Sequence, residues 1–386
     1  MEYREVGRTG IKGSIIGIGL EHVDNKPLEK VEEVVHAALD HGINMMDMFM
    51  PGREVRTNIG RALAGRRDKV FLQGAIGSVD LNLQYDISRE LAVCKRYFEE
   101  MLTCLKTDYL DFGMLFYLDS HEAIDDMINN GVVEYARQLK REGKIRAIGA
   151  TLHNPETGIR LVNEGLVDMM MFSINPAFDL MANITASPLE LLDDEFASRA
   201  VGLDPRRAEL YRLCQKQGLG LTVMKSLAAG KLLSTDHSPF SQALTPGQCI
   251  HYALSRPAVA SVMVGCESAG QVAEAVKYLE LSEAERDYSQ IVTQFRDDGK
   301  AGFKGSCVYC NHCLPCPAEI DVAAVNKILD IASLDKNNLP PDLVRDYQAL
   351  KSKASDCLKC GSCEERCPFS VQVMDKMDQT TALFEN

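Results

Sequence analysis

Eight of the thirteen cysteines lie in two short runs in the last fifth of the chain. The first run, CVYCNHCLPCP, spans 307–317, and the second, CLKCGSCEERCP, spans 357–368. The second run has the C-x2-C-x2-C-x3-C-P spacing with which bacterial proteins bind [4Fe-4S] clusters, and the first is one residue shorter before its last cysteine. Thiolates are soft anionic ligands for iron, and three of them at this spacing can surround one face of a cubane. The spacing therefore predicts two [4Fe-4S] clusters.

The order of the cysteines also predicts which of them share a cluster. In two-cluster modules the fourth cysteine of each run binds the cluster of the other run. One predicted ligand set is Cys307, Cys310, Cys313 and Cys367. The other predicted set is Cys357, Cys360, Cys363 and Cys316. The alternative is a pair of four-cysteine zinc sites, which typically use two separated C-x2-C pairs and need no third in-line cysteine.

Composition and charge limit the classes of protein to which the chain can belong. Its 386 residues are 46% hydrophobic and 25% charged, which is enough for one large domain and a smaller one. The net charge of -13 argues against a nucleic-acid partner, because phosphates require a basic surface. The sequence contains no apolar run long enough to span a membrane, and its first residues are charged rather than apolar. Since the clustered cysteines require reduced thiols, we expect a cytoplasmic protein.

Before residue 282, an apolar strand-like stretch is followed by an amphipathic helical stretch about eight times. The predicted strands are 15–19, 43–47, 69–74, 110–116, 145–150, 167–172, 220–224 and 259–264. Continuous apolar runs are typical of strands that are buried on both faces, and eight strand-helix units predict a closed parallel (β/α)8 TIM barrel. An open doubly wound sheet is the alternative, but no G-x-G-x-x-G follows the first strand.

One connection is too long for an ordinary barrel loop. Residues 175–204 follow the sixth predicted strand and precede the next helix. Such long connections in compact domains are often lids or substrate-shaping segments, and this one follows the carboxyl end of a strand, where barrels carry their active sites. It is predicted to be an active-face insert, with a merely decorative insertion as the alternative.

Several strings resemble the aldo-keto reductase family in the order in which that family has them. They are YREVGRTGIKGSIIGIG at the start, GINMMD at 42–47, TDYLDFGML at 107–115, GKIRAIGATLHNPE at 143–156, TVMKSLAAGKL at 222–232 and VMVGCESAGQVAEAV at 262–276. The cysteine-rich end resembles the branch of the family that is fused to a dicluster ferredoxin. The resemblance implies a barrel over 1–290 and a small alpha-helical domain with two [4Fe-4S] clusters over 291–386. Helical periodicity at 321–334 and 340–356, between and around the runs, agrees with that second domain.

The family transfers a hydride between a nicotinamide and a carbonyl with an Asp, Tyr, Lys and His set. The resemblance assigns the aspartate to Asp47, which closes GINMMD. It places the tyrosine in the stretch with Met50 and Pro51, the lysine at Ala75 and the histidine at Phe116. A carbonyl reduction without its usual acid loses a factor of about 100 to 10,000 in rate.

Three nearby residues are candidates for a replacement proton donor: Tyr117, His121 and His153. Tyr117 directly follows Phe116, and His153 lies in the loop where the family contacts the nicotinamide amide. The alternative for Tyr117 is a packed or rim residue. The alternative for His153 is a residue at a helix entry, ahead of Asn154 and Pro155 as N-cap and first-turn proline.

The resemblance also implies a nucleotide site on the segments 224–232 and 264–274, after the seventh and eighth strands. The residues assigned to cofactor binding are Asn154, Lys225, Ser226, Gly265, Ser268, Gln271 and Glu274. Glu267 lies where the family often has a basic residue for a 2'-phosphate, and Met171 lies near the position of a glutamine beneath the nicotinamide. These departures favour NADH over NADPH, or a flavin in the same pocket. An inherited but empty nucleotide cleft is the alternative.

The combined prediction is an iron-sulfur oxidoreductase whose barrel binds a small organic substrate while the two clusters relay electrons to a ferredoxin-like or other redox protein. One alternative is a non-catalytic electron-transfer or scaffold subunit, and another is an NAD(P)H-dependent carbonyl reductase with a relocated acid. Arg53, Arg56 and Arg146 are candidates to receive an anionic group of the substrate, with solvated arginines as the alternative.

Overall fold

The computed structural model describes residues 1–81, 84–180, 203–295, 305–309, 311–333, 336, 339–367 and 369–385. The chain divides into two compact units. Residues 1–80 and 87–296 form the first unit, and 81–86 with 297–386 form the second. The second unit therefore includes six residues that come from the first third of the chain. Among the described helices, none is long and apolar enough to cross a membrane.

The first unit is built on eight parallel strands that close into a barrel. In chain order the strands of the described residues are β1 (Tyr3–Glu5), β2 (Lys12–Ser14), β3 (Ile16–Gly19), β4 (Met45–Met48), β5 (Phe71–Ile76), β6 (Ser78–Leu81), β7 (Gln84–Ile87), β8 (Leu110–Leu115), β9 (Ile145–Leu152), β10 (Met169–Ser173), β11 (Gly220–Met224) and β12 (Val259–Gly265). The barrel order is β3-β4-β5-β8-β9-β10-β11-β12, and β12 pairs with β3 to close it. All eight predicted strands and the predicted parallel barrel are confirmed. The structure adds two small two-stranded sheets to the barrel, the antiparallel pair β1-β2 and the pair β6-β7.

The barrel interior is packed by methionines that fill the space left by glycines on neighbouring strands. Met114 and Met169 belong to the interior cluster, and a Cβ at Gly149 would lie only 2.7 Å from the sulfur of Met169. A Cβ at Gly17 would likewise lie too close to the sulfur of Met263. Methionine is flexible and fills irregular gaps well, so a glycine opposite a methionine keeps the interior closely packed. Methionine therefore fills the centre of this barrel, where other parallel barrels use branched side chains.

Helices alternate with the barrel strands. Those of the first unit are α1 (Leu28–Asp40), α2 (Arg53–Ala62), α3 (Leu91–Leu105), α4 (His121–Asn129), α5 (Val132–Arg141), α6 (Pro155–Asn163), α7 (Pro176–Asp179), α8 (Pro205–Gln217), α9 (Pro246–Leu254), α10 (Ala269–Val276), α11 (Glu283–Arg286) and α12 (Ser289–Val292). Short 3-10 turns lie at Glu21–Val23, Arg67–Lys69, Ala228–Leu233 and Lys277–Glu280. The apolar side of α1 is buried at Val31, Val34, Val35 and Ala38, which is the spacing of an amphipathic helix.

The second unit is helical, and its core is made by the segments around the cysteine runs. Its helices are α13 (Val322–Ala332), α14 (Pro341–Ala349), α15 (Ser362–Glu365) and α16 (Val373–Phe384), with a 3-10 turn at Ala354–Asp356. The two segments with predicted helical periodicity contain α13 and α14. The core includes Val325, Tyr347 and Met377, with several of the cysteines packed against it. The side chains that fill this core come from both sides of the second run.

The two ends of the predicted insert are held together by one buried carboxylate. Of the 175–204 segment, residues 181–202 lie outside the described residues, so its predicted role as a lid stays a prediction. At its borders, the Asp204 amide donates to the Asp179 carbonyl at 2.8 Å. The Asp179 carboxylate accepts hydrogen bonds from Arg207 Nε at 2.6 Å, the Tyr211 hydroxyl at 2.8 Å and the Tyr252 hydroxyl at 3.1 Å. Burial opposes the charge of Arg207, but Tyr211 and Asp179 raise the pKa of Arg207 above its usual value, so the guanidinium remains charged.

Removing both partners of this ion pair should cost less than the sum of the two single removals. Arg207→Met leaves a fully buried Asp179 carboxylate without its cation, and we expect a loss of about 3–5 kcal/mol in the free energy of unfolding. The double variant Asp179→Asn, Arg207→Met should lose less than the sum of the single variants. Urea denaturation of the four proteins measures this coupling. Arg141→Met, which breaks an exposed pair with Glu134, is the matched control and should unfold like the wild type. Additive losses would contradict the assignment.

Candidate functional site

Asp47 lies near the carboxyl end of β4, the end at which barrels carry their active sites. In the strand register it is opposite Gly19 on β3 and Gln73 on β5. Its side chain is 5% exposed. Burial, followed by the negative charge of Glu21, raises the pKa of Asp47 to about 8. The carboxyl group is therefore protonated at neutral pH and can donate a proton or a hydrogen bond.

Apolar side chains occupy the three positions at which the resemblance places a phenol, an ammonium and an imidazole. Met50, Ala75 and Phe116 are each at most 4% exposed. Phe116 stacks on Phe49, with 5.8 Å between the ring centroids. Arg56 Nε donates to the Met50 carbonyl at 3.0 Å and fixes the loop after β4. These contacts create an apolar setting near Asp47, in agreement with its raised pKa.

A second polar group lies in the loops after β8 and β9. Asp119 Oδ2 lies 2.7 Å from His153 Nδ1. The other carboxylate oxygen accepts hydrogen bonds from the backbone amides of His153 and Asn154. The Tyr117 ring meets the His153 ring edge to face, with centroids 5.8 Å apart. Two of the predicted donors, Tyr117 and His153, are therefore brought together, and Asp119 joins them.

The backbone at Tyr117 explains how its side chain reaches His153. Strand β8 ends at Leu115, so strand alternation no longer applies at residue 117. Tyr117 has a φ of 56°, a left-handed conformation that is rare for a bulky residue. Its amide donates to Thr151 Oγ1 at 2.8 Å, and its carbonyl accepts from Arg89 at 2.9 Å. The structure places His121 elsewhere, as the exposed first residue of α4.

The Asp119-His153 pair shifts the pKa values of both groups. Burial opposes ionisation of Asp119, but the His153 ring and two backbone amides hold the pKa of Asp119 below its usual range. Burial lowers the pKa of His153; Asp119 opposes this effect, while the charges of Lys225 and Arg207 add to it. A neutral imidazole that donates Nδ1-H to a carboxylate leaves Nε2 as an acceptor. The pair can therefore accept a proton at neutral pH.

The residues assigned to the nicotinamide side of the nucleotide site differ in their contacts with the protein. Asn154 is the N-cap of α6, where its side chain accepts the Glu156 amide at 2.9 Å and donates to the Asp119 carbonyl at 3.2 Å. The helix-entry alternative for the 153–155 segment is thus confirmed for Asn154 and Pro155. Lys225 has a φ of 60°, and its carbonyl accepts from Asn175 at 2.8 Å. Ser226 is buried.

The residues assigned to the adenosine side cap the start of α10. Ser268 Oγ accepts the Gln271 amide, and the Gln271 side chain accepts the Glu267 amide at 2.7 Å. Glu274 forms an ion pair with Lys277 at 2.5 Å. Glu33, which the sequence did not single out, accepts the Ala269 amide at 2.9 Å. Carboxylate and side-chain oxygens thus already accept hydrogen bonds from amides that could otherwise bind a phosphate.

Acidic groups also lie over the end of β12. A Cβ at Gly265 would clash with the His22 ring and lie 3.1 Å from Glu21 Oε1. His22 Nε2 is 3.6 Å from Glu21, and Nδ1 is 3.9 Å from Glu267. Carboxylates at this edge oppose the binding of an additional phosphate.

The two cysteine runs of the second unit share one backbone pattern. In the first run Tyr309 and Asn311 have left-handed φ values of 53° and 60°, and in the second Lys359 and Gly361 have 51° and 81°. These residues hold matching places before and after the second cysteine of each run. The Tyr309 amide points at Cys307 Sγ, 3.4 Å away. Successive amides in such conformations form concave nests for anionic groups, including iron-sulfur clusters.

The pattern continues after each run. The third residue past the fourth cysteine is again left-handed in both runs, at Glu319 (φ 54°) and Ser370 (φ 52°). Each then leads into a helix, α13 or α16, that begins six residues after the cysteine. The left-handed residue before the second cysteine is tied by its side chain to that following helix: Tyr309 to Asp330 at 2.7 Å, and Lys359 to Asp378 at 2.9 Å. The two halves are therefore structural repeats.

One cavity in the second unit is lined by cysteines of both runs. They are Cys313, Cys316, Cys357, Cys360 and Cys363. The last four are the predicted ligand set that combines Cys316 with the second run. For the other set, Cys310 lies outside the described residues, while Cys307, Cys313 and Cys367 are partly buried against the core.

A site for a single metal ion needs side chains that converge on one point. Within the described part of the chain, no three Cys, His, Asp or Glu side chains converge on one such site. In a [4Fe-4S] cluster each cysteine binds a different iron atom, so the ligands surround a cavity and need not converge on one point.

The three arginines considered for an anionic substrate have protein partners. Arg146 binds Asp111 at 3.1 Å near the amino ends of β8 and β9. Its expected place near the active face is therefore wrong, because residue 146 begins its strand. Arg56 is fully buried against the Met50 and Tyr97 carbonyls. Arg53 is exposed and pairs with Glu100 at 2.5 Å.

The raised pKa of Asp47 predicts a pH-dependent stability. In the folded chain Asp47 stays protonated up to about pH 8, whereas in the unfolded chain it ionises near about pH 4. Wild-type stability should therefore fall as the pH rises through this window. Asp47→Asn keeps the shape without the charge, so we expect it to stabilise the fold by about 2–5 kcal/mol at pH 8 and to change little near pH 4. Denaturation midpoints at the two pH values measure this difference.

Asp40→Asn is the control for Asp47→Asn, because its carboxylate is exposed at the end of α1. It should give the same small change at both pH values. An Asp47→Asn protein whose stability relative to the wild type is independent of pH would show that Asp47 is ionised in the folded chain.

The Asp119 carboxylate should hold the 153–154 loop in place. Asp119→Asn removes the charged partner of His153 and weakens the hydrogen bonds to two amides, so we expect a loss of about 1–3 kcal/mol in stability. Hydrogen exchange at the His153 and Asn154 amides should become faster. Asp125→Asn, which breaks an exposed pair with Arg160, is the control and should leave both amides protected. Unchanged exchange in Asp119→Asn would contradict a role for Asp119 in fixing the loop.

Comparison with known proteins identifies a family to which the first unit is similar. Residues 15–246 match the model of the Aldo/keto reductase family. The chain is 25% identical over 293 residues to the uncharacterized oxidoreductase YqkF of Bacillus subtilis (strain 168), covering 72% of this chain and 90% of YqkF. It is 31% identical over 163 residues to the aldo-keto reductase YhdN of the same organism, covering 39% of this chain and 47% of YhdN. That second match spans about half the length of YhdN.

Solved structures show the same fold. The holo form of aldo-keto reductase AKR11C1 from Bacillus halodurans superimposes with a TM-score of 0.58 at 22% identity, covering 77% of this chain and 99% of that one. PA4992, a putative aldo-keto reductase from Pseudomonas aeruginosa, gives a TM-score of 0.53 at 24% identity, covering 72% and 96%. The match to the family model covers more than half of the chain and ends before the cysteine runs. The chain belongs to the aldo/keto reductase family.

Proposed function

We propose that the protein is an iron-sulfur oxidoreductase, in which the barrel binds a small organic substrate and two [4Fe-4S] clusters in the second unit relay electrons. The observation that carries the proposal is the cavity lined by Cys316 together with Cys357, Cys360 and Cys363. This is the crossed ligand set that the spacing predicts. It joins cysteines that are separated by about forty residues of chain.

The repeat geometry supports two clusters rather than one. Left-handed residues at matching places make amide nests in both runs. Amides that point at cluster and cysteine sulfurs stabilise the negative charge of a bound cluster and tune its potential. The repeat gives each run the same means to hold a cluster, with Cys307, Cys310, Cys313 and Cys367 as the second set.

In the barrel, the groups that can move protons lie at the carboxyl ends of the strands. Asp47 is protonated at neutral pH, and His153 is neutral with Asp119 on Nδ1. Conversion between a carbonyl and an alcohol exchanges two electrons and two protons. Two bound clusters would exchange the electrons one at a time with a ferredoxin-like partner protein. An organic cofactor in the barrel would carry the electron pair and one proton as a hydride, and these side chains would exchange the remaining proton.

A nicotinamide or a flavin is the proposed organic cofactor of the barrel, where it would supply hydride transfer. Asn154, Lys225, Ser226 and Gly265 lie on the segments that would hold it. The carboxylates of Glu21, Glu33 and Glu267 near the adenosine side favour a cofactor without a 2'-phosphate. For the redox partner, the net charge of -13 favours a basic or neutral docking surface.

A second candidate function is NAD(P)H-dependent carbonyl reduction with a relocated acid. The contact of Tyr117 with the Asp119-His153 pair favours it, because an imidazole beside a phenol can tune the donor. Stopped-flow mixing with NADH and a panel of aldehydes and ketones separates the two. Hydride transfer in iron-free protein supports the second function, and transfer that requires the clusters supports the first.

The main proposal predicts the metal content and the redox behaviour of protein purified without oxygen. We expect about eight iron atoms and eight sulfides per chain, and the iron of the Cys360→Ser variant should fall by half. NADH, a flavin or the substrate should change the visible spectrum of the clusters. Cys249→Ser, which changes a buried cysteine outside both runs, is the control and should keep all of the iron.

Two results would count against this proposal. Purified protein that contains zinc in place of iron would show that the chain does not bind the proposed clusters. Protein with both clusters that binds no nucleotide or flavin and shows no substrate-linked cluster oxidation would instead favour an electron-transfer or scaffold subunit.

A further inference from the structure

The two cysteine runs differ by one residue, and the difference falls just before the fourth cysteine. In the second run, the three residues between Cys363 and Cys367 continue a short helix, α15, and the Cys367 amide donates to the Glu364 carbonyl at 3.2 Å. In the first run only Leu314 and Pro315 separate Cys313 from Cys316. No helical turn forms among these described residues. The Cys316 amide therefore needs a different acceptor.

That acceptor is a side chain from a distant part of the sequence. Gln84 Oε1 accepts the Cys316 amide at 2.9 Å, and Gln84 Nε2 donates to the Cys316 carbonyl at 3.2 Å. The two bonds bind both backbone polar groups of one cysteine. Gln84 is the first residue of β7, and residues 81–86 belong to the second unit. This short segment is therefore part of the cysteine unit although Gln84 precedes Cys316 by 232 residues.

Primary carboxamides are well suited to this position. A carboxamide is the neutral side-chain group that offers a donor and an acceptor side by side, which matches the N-H and C=O of a single residue. An amide that is removed from water without an acceptor destabilises the fold. Arg366 binds the adjacent Pro315 carbonyl at 2.8 Å. The segment before Cys316 is thus fixed by side chains where the second run uses its own helix.

We infer that Gln84 is a positioning residue for Cys316 and replaces the residue that the first run lacks. The inference rests on the proposed function, since Cys316 is positioned for a cluster. Cys316 lines the same cavity as Cys357, Cys360 and Cys363. Gln84 consequently acts on the cluster that these four cysteines bind, and the cluster of Cys307, Cys310, Cys313 and Cys367 does not depend on it.

The test compares two Gln84 variants prepared without oxygen. Gln84→Met keeps the length of the side chain and removes both hydrogen bonds, whereas Gln84→Glu keeps an acceptor for the Cys316 amide. We expect the iron of Gln84→Met to fall from about eight to about four per chain, with the Mössbauer signal of one cluster lost and that of the other unchanged. Gln84→Glu should retain more of the sensitive cluster than Gln84→Met. In Gln84→Glu, half of the iron should be released to a chelator quickly and the other half slowly.

Gln138→Met, an exposed glutamine on α5 that bonds Glu142, is the matched control and should keep both clusters. Circular dichroism verifies that each variant is folded. If wild-type protein holds both clusters and Gln84→Met also holds both with wild-type rates of iron release, the inference is overturned. Equal loss of both clusters in Gln84→Met overturns it as well. A wild-type protein without clusters overturns the proposed function itself, which separates the two failures.

Discussion

The hydrogen bonds between the first and last barrel strands determine where everything else in the first unit can lie. The pairing of β12 with β3 brings Gly265 opposite Gly19, although 246 residues separate them. It therefore places the loop with Glu21 and His22 against the start of α10. Asp47 lies on β4, which pairs with β3, so the loop after β3 also brings the Glu21 carboxylate near Asp47. Burial and then this charge raise the pKa of Asp47 to about 8. The loop after β3 thus contributes to both the acidic edge and the protonated acid.

Three buried carboxyl groups of the first unit show how their partners decide their chemistry. Asp179 faces Arg207 and accepts its hydrogen bond, and Asp119 is held ionised by His153 and backbone amides. Both stabilise loops at the carboxyl ends of strands, since one joins the borders of the long insert and the other fixes the loop after β9. Asp47 has an acidic neighbour instead of a basic one, and its folded state favours the neutral acid. Burial without a cation costs stability, which is typical of residues retained for chemistry.

The parts of the structure that the sequence could predict are those that local pattern controls. The eight barrel strands follow from continuous apolar runs, and α13 and α14 follow from helical periodicity. Asp119 carried only a weak signal, an acid shortly after a strand, because its partner is 34 residues away. The place of Arg146 was missed because apolar runs locate a strand better than they locate its ends. Glu33 carried no signal, since its role at Ala269 depends on how α1 packs beside α10.

Gln84 shows why spacing alone could not complete the description of the cysteine runs. The first run is one residue short, so by spacing alone it is an imperfect match to the motif. The motif contains no information about distant residues that contact the run. The backbone pattern shows that both runs nevertheless adopt the same left-handed turns on either side of the difference. A deleted residue removes a helical hydrogen bond, and the vacant amide can be satisfied by any acceptor that reaches it. The segment 81–86 supplies that acceptor, so a feature of the barrel sequence becomes a structural requirement of the cysteine unit. The short spacing before Cys316 and the carboxamide of Gln84 are therefore linked, because the short run leaves an amide without a helical acceptor and Gln84 accepts its hydrogen bond.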